Sequence, residues 1–414
     1  MPIIKKNLVC RACGSRELEE FLSLGKTPPA NAFLKKKDFR KEKHHPLRVG
    51  VCRSCKLVQL LDVISKEHLF SHYVYFFSAM PTASNHFGSY AQDIAERFIK
   101  NTAKDLIVEL GSNDGLLLKS FHKMGHKRVL GIDPAKNIVK FANKQGVPTL
   151  ADFFSQRLAQ KIVKTEGKAK IIIGNNVVAH IDDWQDLAKG VDELLAEDGV
   201  FIFEAPYLMD MFENLAYDSI YHEHLSYLSV APLVRFFKKY GMNVFDVQPF
   251  QRQGHSIRVF VSRSGKYKTM PSVKKFLNKE LKAGLNKLSS YKELAKRIKN
   301  SRNQLVTTLK DLKSKKMKIA AYGAPARGNT LLNYGNINPK LIDFATEELP
   351  LKIGLYSPGM HIPVKHIEDA RKNPPDYYLM LAWNYKDQIL KKESEFVKQG
   401  GKFIVPIGDK IEII

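Results

Sequence analysis

Residues 105–115 read DLIVELGSNDG, and this run decides the fold. Leu106, Ile107, Val108 and Leu110 form a short apolar run of the kind a strand buried on both faces requires. Gly111 and Gly115 follow at once, where positive φ and a bare backbone let a ligand approach the start of a helix. A strand that feeds a glycine loop and then a helix opens a parallel, doubly wound sheet.

Working outward, strand and helix signals alternate from residue 105 to about residue 205. A second strand, Val129 to Ile132, ends in Asp133, an acid about 20 positions past the loop and so placed to take two ribose hydroxyls. Gly146 to Asp152 with Phe153 and Phe154 is a frame for an adenine. A fourth strand, Lys170 to Gly174, ends at Asn175 and leads to His180, and a fifth runs from Gly199 to Glu204. The loop is not the G-x-G-x-x-G of dinucleotide folds. Glu109 and Gly111 followed by Asp133 look like the S-adenosylmethionine (SAM) site of Rossmann-like methyltransferases, with Asn113, Asp114 and Asn175 as further contacts. A nicotinamide-dependent sugar oxidoreductase is the competing reading of the same segment.

The fifth strand delivers the chain into Tyr221-His222-Glu223-His224, which packs a phenol, two imidazoles and a carboxylate among apolar neighbours. In a half-buried cleft such groups can be tuned for proton transfer. A polar turn, or histidines satisfied in a core, is the plainer reading of the tetrad alone. Ligands of open α/β sheets bind outside the carboxyl ends of the strands, and both His180 and the tetrad follow such ends.

All four cysteines precede residue 56, as Cys10/Cys13 and Cys52/Cys55. Two C-x-x-C turns brought together supply the four thiolates of a structural zinc site. Cys52 and Cys55 followed by His68 and His72 also fit a zinc-finger spacing, but that choice leaves Cys10 and Cys13 without a partner. We expect a zinc-binding domain over 1–65, a methyltransferase domain over 66–265, a lysine-rich helical connector over 266–315, helical from Pro271 to Lys316, and a C-terminal Rossmann-like domain over 316–414. In the last, strand Lys318 to Tyr322 enters a second glycine loop, Gly323 to Thr330, where Arg327 and Asn329 are placed to cradle phosphate at a helix start. Further strands are expected over Leu341–Phe344, Tyr377–Ala382 and Phe403–Pro406.

The net charge of +24 raises a nucleic-acid reading: a zinc-containing nucleic-acid methyltransferase or binding module. The lysines concentrate in Lys35 to Arg48 and Lys266 to Lys318, mixed with glutamates and with few interleaved aromatics, which fits solvated faces better. Met1 to Leu8 lacks the apolar core of a signal peptide and no run has the length of a membrane span, so we expect a cytoplasmic protein without a membrane partner.

Taken in order, the two C-x-x-C pairs, ELGSNDG, GIDPA, NNVVAHI, IYHEHLSY, AAYGAPARGNTLLNY, SPGMHIPV and LAWNYKDQI resemble the zinc-containing sugar C-methyltransferases along nearly the whole chain. The resemblance implies SAM-dependent methylation at C-3 of a nucleotide-linked 4-keto-6-deoxy sugar, through an enolate; separately, we expect a monomer with no nucleic-acid partner. It implies His224 as the base, Tyr221 and Glu223 as its supports, His180 and Tyr75 near the groups that gather charge, and Tyr322, Arg327, Asn329 and Asn384 at the nucleotide end. Arg327 stands where the family pattern leads us to expect lysine, and Gly254-His255-Ser256 replaces an expected glycine pair.

Overall fold

The computed structural model describes residues 4–70, 83–251 and 255–414. The N-terminal unit consists of β1 (Ile4–Lys6), β2 (Leu18–Thr27), β3 (His45–Cys52), β4 (Val58–Leu60) and β5 (Asp62–Ile64). Strands β2, β3 and β4 pair antiparallel and β1 pairs with β5. Leu47, Val49 and Val51 alternate inward along β3, while Arg48 between them reaches Asp62 on both carboxylate oxygens at 2.8 Å.

The central sheet contains β6 (Leu106–Leu110), β7 (Val129–Ile132), β8 (Thr149–Leu150), β9 (Ala169–Ile173) and β10 (Leu195–Pro206), all parallel. Ile171, Ile172 and Ile173 are each wholly buried, which is why these strands read as continuous apolar runs. The chain then makes β11 (Ser226–Tyr227), which leaves the central domain and pairs with β4. The N-terminal unit is therefore completed by the segment that follows the tetrad. Strands β12 (Met242–Gln251) and β13 (His255–Arg263) return as an antiparallel edge, giving the order β12-β13-β10-β9-β6-β7-β8. The order reverses between β6 and β9, the place where doubly wound sheets open a crevice.

The connector is two helices, Pro271–Lys282 and Leu288–Ser314, rather than one. The break contains Gly284 at φ 75°, a left-handed residue that ends the first helix. The second helix buries Tyr291, Leu294, Ile298, Leu305 and Leu309 along one face, and its lysines stand outside.

The C-terminal domain holds β14 (Ile319–Tyr322), β15 (Ala345–Glu347), β16 (Val364–His366), β17 (Tyr377–Met380), β18 (Lys402–Val405) and β19 (Glu412–Ile413), in the order β16-β15-β14-β17-β18-β19. The strand expected over Leu341–Phe344 begins only at Ala345, because Leu341 and Ile342 close a turn onto the Asn338 carbonyl. A second reversal lies between β14 and β17. Among the described residues, no helix is long and apolar enough to cross a membrane.

Candidate active site

The carboxyl ends of both sheets open onto one cavity of about 980 Å³. Gly111, Asn113, Asp133 and Asn175 line it from the central domain, Pro325, Arg327, Ala382 and Asn384 from the C-terminal domain, and Asn31 and His68 from the N-terminal unit.

At the central end the loop after β6 is held in left-handed turns, with Gly111 at φ 63°, Asn113 at 48° and Gly115 at 76°. A Cβ at Gly111 would come within 2.4 Å of Val177 Cγ2. Asp133 ties the loop to the second strand: Asn113 N donates to its Oδ2 at 3.0 Å and Ala135 N to its Oδ1 at 2.9 Å. Burial pushes the Asp133 carboxyl up, against those backbone donors. Asn175 accepts from the Tyr90 hydroxyl at 3.2 Å, while its Nδ2 is buried with no partner among the described residues. An orphaned donor on a cavity wall beside a glycine loop fits a polar ligand such as SAM. Glu109 and Asp114, the other two expected cofactor contacts, are not among the residues that line the cavity. Both are buried, and burial followed by the charges of Asp114 and Asp133 drives the Glu109 carboxyl toward its neutral form.

The tetrad divides. Tyr221, Glu223 and His224 face the cavity and His222 does not. His222 donates from Nε2 to the Pro46 carbonyl at 3.1 Å and meets His45 edge-on, an internal tie to β3. His224 donates from Nδ1 to the Ser219 carbonyl at 2.8 Å, which leaves a lone pair on Nε2, and that nitrogen accepts from the Tyr221 hydroxyl at 2.7 Å. Burial and then neighbouring His180 hold the His224 imidazole well below its ordinary range, so it stays a free base at neutral pH. His180 lies 5.0 Å from His224 between ring centres and donates from Nδ1 to the Glu223 carbonyl at 2.6 Å. Its pKa is pulled down to about 4 by burial. The Glu223 carboxylate, pushed up to about 7 by burial, accepts from Asn31 Nδ2 at 3.0 and 2.8 Å on its two oxygens.

Tyr75 and Gly254 lie outside the described residues, as does the side chain of His255; Ser256 is on the cavity wall. Two of the residues expected at the nucleotide end are elsewhere. Tyr322 is buried in the C-terminal core, where its hydroxyl donates to Glu393 at 2.9 Å. Asn329 is 2% exposed and donates from Nδ2 to the Ala30 carbonyl at 2.7 Å, joining the C-terminal helix to the N-terminal unit. Arg327 does line the cavity, but its guanidinium is forked onto Asp218 at 3.2 and 2.8 Å, and Trp383 Nε1 donates to the same carboxylate at 2.7 Å. The sequence reading missed Asp218, Ser219, Asn31 and Tyr90. Asp218 was the findable one, an acid three residues before the tetrad.

Cys10, Cys13, Cys52 and Cys55 bring four sulfurs within 4.8 Å of one another, with Cys10 and Cys55 at 3.4 Å and Cys13 and Cys52 at 3.5 Å. Tetrahedral zinc at ~2.3 Å from each thiolate sets sulfurs ~3.8 Å apart, so the cluster fits a structural zinc and uses every cysteine. His68 is on the cavity wall instead, which removes the zinc-finger spacing. The zinc turn is docked on the central domain, since Arg11 donates from Nε to Asp182 at 3.0 Å and Gln185 donates to the Arg11 carbonyl at 3.1 Å.

Three sequence families match in series: a zinc binding domain over residues 10–70, a methyltransferase domain over 83–247 and a C-methyltransferase C-terminal domain over 251–408. The C-methyltransferase NovU of Streptomyces niveus is 37% identical over 400 residues, 96% of this chain and 95% of that protein. Among solved structures, a SAM-dependent methyltransferase from Clostridium acetobutylicum aligns with 45% of this chain and 94% of its own, at 15% identity and a TM-score of 0.34. Magnesium protoporphyrin IX methyltransferase from Synechocystis, with bound SAM, aligns with 44% of this chain and 79% of its own, at 14% identity and a TM-score of 0.32.

Proposed function

The chain belongs to the zinc-containing, SAM-dependent sugar C-methyltransferases, and from that premise we propose that it methylates C-3 of a nucleotide-linked 4-keto-6-deoxy sugar. The observation that carries the reading is the Tyr221–His224 pair on the wall of the cavity that the glycine loop also lines. A sugar C-3 becomes a nucleophile only when a ketone at C-4 acidifies its proton and holds the resulting enolate. A neutral imidazole with its lone pair on Nε2 is the base this step needs.

On this reading Gly111, Asn113, Asp133 and Asn175 hold SAM, which when bound supplies an electrophilic methyl group. The C-3 proton passes to the Tyr221–His224 pair, with Nε2 as its sink. The Ser219 carbonyl keeps the imidazole in the correct tautomer and stabilises the imidazolium that forms. The charge that grows on the C-4 oxygen is offset by Arg327, whose positive charge is felt at His224, and His180 stands beside the pair as a neutral imidazole. Glu223 accepts a substrate hydroxyl, and Asn384 takes the nucleotide end. The zinc is structural and takes no step.

The test is incubation with SAM and a 4-keto-6-deoxy nucleotide sugar, read by mass for the gain of one methyl group. His224→Ala is expected to bind the demethylated SAM product normally and to lose turnover by about 10²-fold or more. Solvent deuterium entering C-3 without SAM in the native enzyme, and not in the variant, reports the enolate directly. Near-native turnover in the variant would remove His224 as the base.

A further inference from the structure

We infer that Asn31, carried by the zinc-binding unit, is a positioning residue of the reaction centre, holding the Glu223 carboxylate in the cavity wall through its side-chain amide; this rests on the reading of Glu223 as a substrate contact. The amide spans both carboxylate oxygens, at 3.0 and 2.8 Å, across 192 residues of sequence. Among the described residues, it is the side-chain partner the structure gives Glu223 in an otherwise desolvating site. Both residues line the cavity.

The backbone that presents Asn31 is fixed from three directions. Pro28 and Pro29 stiffen the approach, and the Pro29 carbonyl accepts from Ala32 N at 3.0 Å. The Asn31 carbonyl accepts from Phe33 N at 2.9 Å. The Ala30 carbonyl, one residue before, is pinned by Asn329 of the C-terminal domain at 2.7 Å. Asn329 therefore serves the reaction centre indirectly, by clamping the turn that aims Asn31. The segment around Glu223 is tied to the same unit from its far side, since His222 donates to Pro46 and β11 pairs with β4. A zinc-binding unit needed only for folding has no reason to place an amide on a cavity carboxylate.

The amide favours the ionised carboxylate. Burial pushes Glu223 up to about 7 and the Asn31 N–H pulls it down, so loss of that donor raises it further. Titratable groups that line the same cavity include His180 and His224, both kept neutral by burial, Tyr221, Tyr207, Tyr227, Asp210 and His68, with the charge of Arg327 on the C-terminal side. An ionised Glu223 that must accept a substrate hydroxyl gives an acidic limb in kcat/KM, and that limb moves to higher pH when its pKa rises.

The experiment is the set Asn31→Ala, Asn31→Asp and Asn31→Gln, with zinc content and bound SAM product measured alongside. The direct readout is the Glu223 carboxyl titration by carbon-13 NMR of glutamate-labelled protein, with Glu223→Gln identifying the signal. We expect the titration to move upward in the Ala variant, further upward in the isosteric Asp variant, where two carboxyls share the site, and back toward the native value in the Gln variant. In parallel kcat falls by about 10-fold to 10²-fold in the Ala variant at neutral pH, with zinc retained. A Glu223 titration that is identical in the native, Ala and Asp proteins overturns the inference. The NMR readout needs no sugar, so an inactive native enzyme would count against the proposed substrate and not against Asn31.

Discussion

The molecule contains two strand–glycine loop–helix turns, one after β6 and one after β14, and they do opposite work. The loop after β6 faces a ligand space: Gly111 and Asn113 open onto the cavity, beside Asn175 at the end of β9, whose Nδ2 stays unsatisfied among the described residues. The loop after β14 spends its polar groups on the protein. Asn329 holds Ala30, Thr330 donates to the Ile220 carbonyl at 2.9 Å, and Arg327 is forked onto Asp218. All three of those partners lie in other domains. The lesson is that a glycine loop at a helix start is a place where backbone and side-chain donors converge, and a neighbouring domain can accept them as readily as a phosphate can.

The sharpest way to break this contrast is Arg327→Ala. Asp218 has no exposed side-chain surface, and removal of its guanidinium leaves a buried carboxylate with Trp383 as its remaining donor among the bonds described. Loss of one partner from a buried pair costs about 3–5 kcal/mol. A fall of that size in chemical denaturation is expected, and Arg327→Ala combined with Asp218→Asn should regain most of it. An unchanged denaturation midpoint together with an about tenfold rise in KM for the nucleotide sugar would make Arg327 a phosphate contact and erase the contrast.

A smaller effect separates the two loops by their glycines. At Gly111, φ is 63° and a Cβ would meet Val177 Cγ2 at 2.4 Å; at Gly323, φ is 81° but the nearest atom to a Cβ is Ala382 Cβ at 3.4 Å. Gly111→Ala therefore carries both a left-handed penalty and a clash, about 1–3 kcal/mol, and displaces the loop that Asp133 holds. Gly323→Ala carries the left-handed penalty alone, about 1 kcal/mol. Calorimetry with the demethylated SAM product should show weakened binding for the first variant and native binding for the second. Equal losses in both would mean that the second loop also shapes the cofactor end.

What was legible in the sequence follows the range of each signal. Strand β6 and its loop were readable because a buried parallel strand is a continuous apolar run and a ligand turn needs Gly111 and Gly115, both local requirements. The four-thiolate cluster was readable because zinc ligation restricts residue type as well as spacing. The break in the connector at Gly284 was not, since helix-forming lysines on both sides mask one left-handed residue. Nor were the partners of Glu223 and Arg327, which come from 192 and 109 positions away and obey no local pattern.

Tyr322 offers the finest test of the contrast, because its phenol is the kind of group that elsewhere stacks on or bonds to a nucleotide. Here it ends the strand β14 facing the core, edge-on to Tyr378 and Phe403, with its hydroxyl on Glu393. Glu393 is also paired with Arg371, so Tyr322→Phe leaves the carboxylate satisfied and removes a single hydrogen bond from a packed ring. About 1.5 kcal/mol of stability should be lost, the low end for a bond to a charged acceptor. KM for the nucleotide sugar should not change, because no atom of the ring borders the cavity. A raised KM with unchanged stability would place the phenol at the ligand, and the second loop would then have to be redrawn as a site that closes around the nucleotide.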